Sequence, residues 1–315
     1  MLKALFQNRI ISTLVIVGML SITALSIMKT PDIMILKRIT AHAIQFMLLL
    51  LGAGLFFLAI DQKRLLFAAF GCVAALCLHF KRVANISLIL PIKTSEPTLM
   101  VAQTSTSDLA EHWQNSIQSL IRSKADIISI LELTPDWEAL LTKRLAKDYP
   151  YHALNTRIDI LGSAIFSKFP VVHTDTLNFM DVPHLKSVVE IPGGLQTRIY
   201  SFNTNPPLLR NSLLQLRNEL GELSDDIQKE PIPAIATGNY NLDQFADEIQ
   251  DFRASADLLD SRKTMSPSLF TPTNHIFYSR SFECLHFANL YDTASVRIGI
   301  IGEYQFLKND AVDSD

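Results

Sequence analysis

The sequence predicts an α/β domain of two stacked sheets with helices outside, carried behind an N-terminal block of hydrophobic helices. Three observations predict it. The hydrophobic excess sits at one end, in three apolar runs without Asp, Glu, Lys or Arg in the first third of the chain. From about Thr98 short apolar runs alternate with amphipathic stretches, the pattern of an α/β domain. The order of those pieces, strand-helix-strand-helix and then a series of strands with two interposed helices, does not fit a simple parallel alternation.

The hydrophobic block comes first. Ile10–Met28 carries no charged residue and is long enough to cross a hydrocarbon core of ~30 Å at ~1.5 Å per residue. Ala43–Ile60 is a second run, and Leu65–Phe80 a third and shorter one closed by Lys81-Arg82. Three spans are expected, at about 10–28, 43–60 and 65–80, within an anchor of residues 1–95. A cleavable signal peptide is disfavoured, because two further runs follow at once and no small-residue cleavage site stands near Met28. With the N-terminus inside, Lys3, Arg9, Lys63 and Arg64 flank the inner side and Lys29, Lys37, Arg38, Lys81 and Arg82 the outer. Charge counting slightly favours the reverse orientation.

In the second part, strands are expected at Thr98–Ala102, Asp126–Leu133, Ser163–Lys168, Ser187–Ile191, Arg198–Asn203, Ala234–Gly238, His275–Ser279, Phe282–Asn289 and Ile298–Phe306. Leu109, Trp113, Ile117, Leu120 and Ile121 mark one helical face. Thr134-Pro135, an N-cap followed by proline, starts a helix running to about Lys147. Leu208–Glu222 and Asp243–Leu259 are the remaining helices. The domain spans 96–308, and 309–315 is an acidic tail. His184 reads as a surface or loop residue. The three cysteines read as small apolar fillers.

Charge excludes one class of partner. Residues 96–315 hold 18 basic and 29 acidic residues, a formal net charge of −11. Such a domain repels phosphate backbones, whose binding is driven by Lys and Arg displacing counterions. Nucleic acid is not the expected partner; a protein or a small phosphorylated ligand is.

Six pieces fall in an order that carries more information than any one of them. Asp126-Ile-Ile-Ser-Ile-Leu-Glu132 is followed by Gly162-Ser-Ala-Ile-Phe-Ser-Lys-Phe-Pro170, Tyr200-Ser-Phe-Asn-Thr-Asn-Pro-Pro207, Ile235-Ala-Thr-Gly-Asn-Tyr-Asn241, Thr273-Asn-His-Ile-Phe277 and Ser295-Val-Arg297. Together they resemble the endonuclease/exonuclease/phosphatase superfamily, and in particular its membrane-anchored bacterial branch. The resemblance implies a four-layer α/β/β/α sandwich, two packed mixed sheets flanked by helices, with the site at one end of the sheets. It also implies a multi-pass protein of a bacterial inner membrane, with the soluble domain in the periplasm.

Metal-dependent phosphodiester hydrolysis needs acidic ligands for Mg²⁺, a base to activate water, and donors for the phosphoryl oxygens. Carried over by position, Glu132 matches the family's metal-binding glutamate, Asn241 the asparagine of "G-D-x-N", and His275 the histidine of "D-H". The departures are more numerous. Thr104 stands near the first-strand asparagine's place, Asn203 replaces a histidine, and Asn239 and Asn274 replace aspartates. Val296-Arg297 replaces the final Asp–His base pair. An arginine stays protonated near neutral pH and takes no proton from water.

The expectation is therefore a vestigial cleft of Glu132, Asn203, Asn239, Asn241, Asn274, His275 and Arg297, catalytically impaired and acting as a binding or scaffold module. No cofactor is expected, with Glu132 the one candidate metal ligand and Mg²⁺ required only if the site is active. The alternative is an active phosphohydrolase or phosphodiesterase with Glu132, Asn239, Asn241 and His275 around one metal. A third reading is a structural or transport-associated membrane protein that only mimics the motif order; it predicts no two-sheet sandwich. A buried Glu132 freed of metal would need a counter-charge, so an Arg297–Glu132 ion pair is expected.

Overall fold

A computed structural model describes residues 6–29, 33, 36–37, 41–84, 91–264 and 272–307. The acidic tail lies outside the described residues. The chain divides into two compact units, an N-terminal helical one and the α/β domain.

The helical unit contains α1 (Arg9–Ile27), α2 (Ala43–Ala59) and α3 (Lys63–Val83). Leu65, Ala69, Cys72, Leu76 and Phe80 form the buried stripe of α3, at the three- and four-residue spacing of one helical face. Gly54 on α2 lets the Phe70 ring approach, since a Cβ there would lie 3.1 Å from it. The outer faces stay apolar and exposed at Ile10, Leu14, Leu58, Phe67 and Leu78. α1 and α3 are long and apolar enough to cross a membrane. The expected lengths of the other two runs are reversed. α3 reaches 21 residues because Lys63, Arg64, Lys81 and Arg82 join the helix at its ends, whereas α2 stops at 17, or ~25 Å.

The domain is built from β1 (Thr98–Ser105), α4 (Thr106–Ala110), α5 (Trp113–Arg122), β2 (Ile127–Leu131), α6 (Pro135–Leu145), β3 (Tyr151–Asn155), β4 (Ser163–Ser167), β5 (Val171–Phe179), β6 (Val182–Ile191) and β7 (Leu195–Asn203). α7 (Arg210–Lys229), β8 (Ala234–Asn239), α8 (Asp247–Ser255), β9 (Leu258–Asp260), β10 (Asn274–Ser279), β11 (Phe282–Tyr291) and β12 (Arg297–Phe306) complete it. One sheet has the order β11-β12-β1-β2-β4-β3 and the other β5-β6-β7-β8-β10-β9. The parallel pairs, β1/β2 and β7/β8, are each joined by a helical crossover, as parallel neighbours require. β3, β5 and β9 are additions to the expected strands, and the expected helix at Asp243–Leu259 contracts to α8, which ends ahead of Asp257, where the chain turns into β9 with φ +51°.

Alternate residues of each strand face opposite sides. Leu99, Val101, Ile127, Ile165, Ile199, Ile235, Ile276 and Tyr278 meet between the sheets. Ala102, Ile128, Ile130 and Phe166 face the first helix layer with Ile117, Leu120 and Leu141. Two mixed sheets packed on one another with helices outside are the expected four-layer sandwich, which sets aside the reading as a mimic of the motif order.

His184 is not a surface residue. It lies on β6, 1 % exposed, with its ring stacked on Phe202 at 3.9 Å. Its Nε2 is 4.0 Å from the Glu219 carboxylate of α7, itself 1 % exposed. Burial holds the His184 imidazole down at about 3 and pushes Glu219 up to about 7. The raised Glu219 value means that the fold favours its protonated form; that stability is complete below the unfolded value near 4.5 and is lost as pH rises through about 7. Glu219→Gln is expected to remove this loss and gain up to ~3 kcal/mol relative to wild type at pH 8. His184 acts at the other end: its lowered value costs stability as pH falls below about 6.5. Urea unfolding at pH 5 and pH 8 checks the Glu219 effect, and an unchanged pH profile in Glu219→Gln would refute it.

Candidate cleft at the ends of the two sheets

β7, β8 and β10 end in register. Asn203 lies opposite Asn239, and Asn239 opposite Asn274. Three asparagines thus form one row across the second sheet, on the face that Ile199, Ile235 and Ile276 turn toward the other sheet. The core becomes polar at this end: Ser129 Oγ donates to Ser201 Oγ at 2.8 Å between the sheets, and the buried Gln103 Oε1, Asn155 Nδ2 and Ser163 Oγ lack hydrogen-bond partners among the described residues.

Two glycines of the motif pieces build this end by close approach. A Cβ at Gly162 would lie 2.1 Å from the Leu133 carbonyl oxygen, and Leu133 donates its N–H to the Gly162 carbonyl at 3.1 Å. Glu132 is thereby fixed at the end of β2, in a left-handed conformation with φ +63°. A Cβ at Gly238 would lie 1.8 Å from the Phe202 carbonyl oxygen, so β8 packs against β7 where Asn203 and Asn239 meet.

Each candidate residue has a definite setting. The Glu132 carboxylate accepts from the Ser107 backbone N–H at 3.3 Å, and its carbonyl accepts from Thr106 Oγ1 at 2.8 Å. Asn203 Nδ2 donates to the Ile160 carbonyl at 2.7 Å, tying the second sheet to the loop ahead of β4. Asn241 donates its N–H to Asn239 Oδ1 at 3.2 Å and its amide to the Thr204 carbonyl at 2.6 Å. Asn274 closes the row. Thr104 Oγ1 donates to the Ile298 carbonyl, joining the end of β1 to the start of β12.

His275 lies on the opposite face of β10 from the asparagine row. It is fully buried, stacked on Phe277 at 5.1 Å. Its Nε2 donates to the Leu242 carbonyl at 2.9 Å, which leaves Nδ1 to accept from Arg262 Nη1 at 3.3 Å. Burial and then the Arg262 charge lower it to about 4. It is a core histidine on the far side from Asn274, because one-residue steps along a strand reverse the side-chain direction.

The expected Arg297–Glu132 ion pair is not formed among the described residues. Glu132 is met by backbone N–H at the start of α4. Pairing of β11 with β12 instead brings Arg297 Nε to Asn289 Oδ1 at 3.2 Å, and its buried Nη2 has no partner among the described residues. Sequence reasoning missed the residue that fixes the turn ahead of Arg297. Asp292 Oδ1 accepts from the N–H groups of Ala294 and Val296, both at 2.8 Å, fixing the turn into β12; an aspartate opening a short polar loop is the available signal. It also missed Ser105, whose Oγ accepts from Asp108 N–H and caps α4.

The sequence pattern of the Endonuclease/Exonuclease/phosphatase family matches residues 99–295. The chain belongs to this family. Solved structures show the same fold at low identity. A Bacteroides thetaiotaomicron family protein is 17% identical, with 68% of this chain and 99% of that one covered and a TM-score of 0.55. The human Nocturnin catalytic domain with bound sulfate is 15% identical, covering 67% and 96%, TM-score 0.54. The mannosyl-6-phosphatase Bt3783 of B. thetaiotaomicron is 17% identical, covering 67% and 100%, TM-score 0.51. Among curated proteins none matches.

Membership of the family implies a divalent metal, and the residues here fit one poorly. A hard cation is held by several oxygens, carboxylates foremost. Of the seven candidates only Glu132 is a carboxylate, and Asn239 Oδ1 already accepts a hydrogen bond. Among the described residues no three His, Cys, Asp or Glu side chains are grouped to hold a metal.

Proposed function

We propose that this family member is a membrane-tethered domain whose cleft binds a ligand without hydrolysing it. The observation that carries the reading is Arg297 in the place of the family's terminal histidine. A guanidinium is a donor only and accepts no proton from water, and its Nε already donates to Asn289. The asparagine row supports it: neutral amides offer hydrogen bonds where two aspartates would offer charge and proton acceptance. A protein or a small phosphorylated ligand fits a cleft with such donors and one fixed cation. The tether is α1 to α3, and by resemblance the protein sits in a bacterial inner membrane with its domain in the periplasm. Reporter activity at a C-terminal fusion tests that side.

Calorimetric titration of the full chain with Mg²⁺ or Mn²⁺ tests the cleft. The expected result is no saturable heat and no difference between wild type and Glu132→Ala. Stoichiometric binding abolished by Glu132→Ala favours the active, single-metal reading instead.

A further inference from the structure

The helical unit holds a polar cavity that the family assignment does not use. It measures about 540 Å³ and lies where the start of α1 meets the α2–α3 turn, lined by Arg9, Ser12, Thr13, Asp61, Lys63 and Arg64 among others. Among the described lining residues three cations face one carboxylate. α3 adds to the positive field: it starts at the same place with no side-chain cap from Gln62 and no acid in its first turn, so the positive end of its dipole lies at the cavity. Ser12 and Thr13 supply hydroxyls. Directly beside this polar end lie exposed apolar side chains, Ile10 (71 % exposed) and Leu14 on α1 and Phe67 (72 % exposed) on α3.

A cationic cavity continuous with an apolar helix surface suits a molecule with a charged head and hydrocarbon tails. If α1 and α3 span a bilayer, both the Arg9 end of α1 and the Lys63 end of α3 lie at the same interface, at the depth of lipid headgroups. We propose that this cavity is a binding site for the headgroup of an anionic phospholipid. Arg9, Lys63 and Arg64 hold the phosphate, and its acyl chains lie along Ile10, Leu14 and Phe67. The proposal rests on the membrane-spanning reading and is independent of the cleft.

The test is spin-label spectroscopy of the full chain in phosphatidylcholine bilayers carrying either spin-labelled phosphatidylglycerol or spin-labelled phosphatidylcholine. The immobilised fraction is expected to favour phosphatidylglycerol by about five-fold. The bias is expected to fall part-way in Arg9→Gln and in Lys63→Gln, to vanish in the triple exchange with Arg64→Gln, and to persist when Lys81 and Arg82 at the other end of α3 are changed to Gln. Equal immobilisation of the two lipids by wild type would overturn the site. So would displacement of phosphatidylglycerol by millimolar inorganic phosphate at constant ionic strength, which would make it a free-phosphate site. Immobilisation of neither lipid would overturn the membrane-spanning reading itself.

Discussion

Gly238→Ala is expected to destabilise the domain by ~3 kcal/mol or more, the upper range for forcing atoms into a packed interior. The added Cβ would meet the Phe202 carbonyl oxygen at 1.8 Å and its carbon at 2.7 Å. Both are backbone atoms of β7, so relief requires separating β7 from β8. That separation would also break the register that aligns Asn203 with Asn239. For a domain of this size the loss corresponds to a melting temperature lower by roughly 6–12 °C, read by calorimetry. Gly221 on α7 is the contrast. Among the described residues nothing beyond its own helix lies within 4 Å of a Cβ there, and Gly221→Ala is expected to stabilise by ~0.5–1 kcal/mol through helix propensity. Equal effects at the two positions would contradict the close-approach account.

Arg198→Met is expected to cost ~3–5 kcal/mol, as breaking a buried, fully bonded charge does. Arg198 is 1 % exposed on β7. Its guanidinium donates to the carbonyls of Asp226, Ile227 and Glu230 at the end of α7, to that of Ile232 ahead of β8, and to the Tyr200 hydroxyl. The fork satisfies carbonyls that a helix end leaves without partners. Methionine fills the volume and leaves them buried and unbonded, each costing ~1–3 kcal/mol in part offset by water. Lysine is a point donor and recovers little. Denaturant midpoints of the two variants check this; a midpoint within error of wild type for Arg198→Met would refute it.

The fold was legible because its central strands are runs of β-branched and aliphatic residues with clear period, and because Gly162 and Gly238 sit at fixed places in the motif pieces. The missing strands carry weak signals. β5 exposes residues such as His173, Thr174 and Thr176 at an edge, β3 is another edge strand that buries only Ala153 fully, and β9 is three residues long. The site was legible as a set of positions but not as a geometry. Reading Asn274-His275 as one motif hid that neighbours on a strand face opposite ways, which sends Asn274 to the row and His275 to the α8 side with Phe277 and Phe252. Arg198, His184 and Glu219 were illegible for a shared reason. Charged and polar types are read as surface, and only tertiary packing shows which few are buried with partners.

The central claim is that a permanent cation stands where a proton acceptor is needed. Turnover of a generic phosphodiester and a phosphomonoester by the full chain with Mg²⁺ or Mn²⁺ tests it most directly. The account predicts rates equal to buffer controls and indistinguishable from those of Glu132→Ala. Metal-dependent turnover that Glu132→Ala abolishes would contradict it.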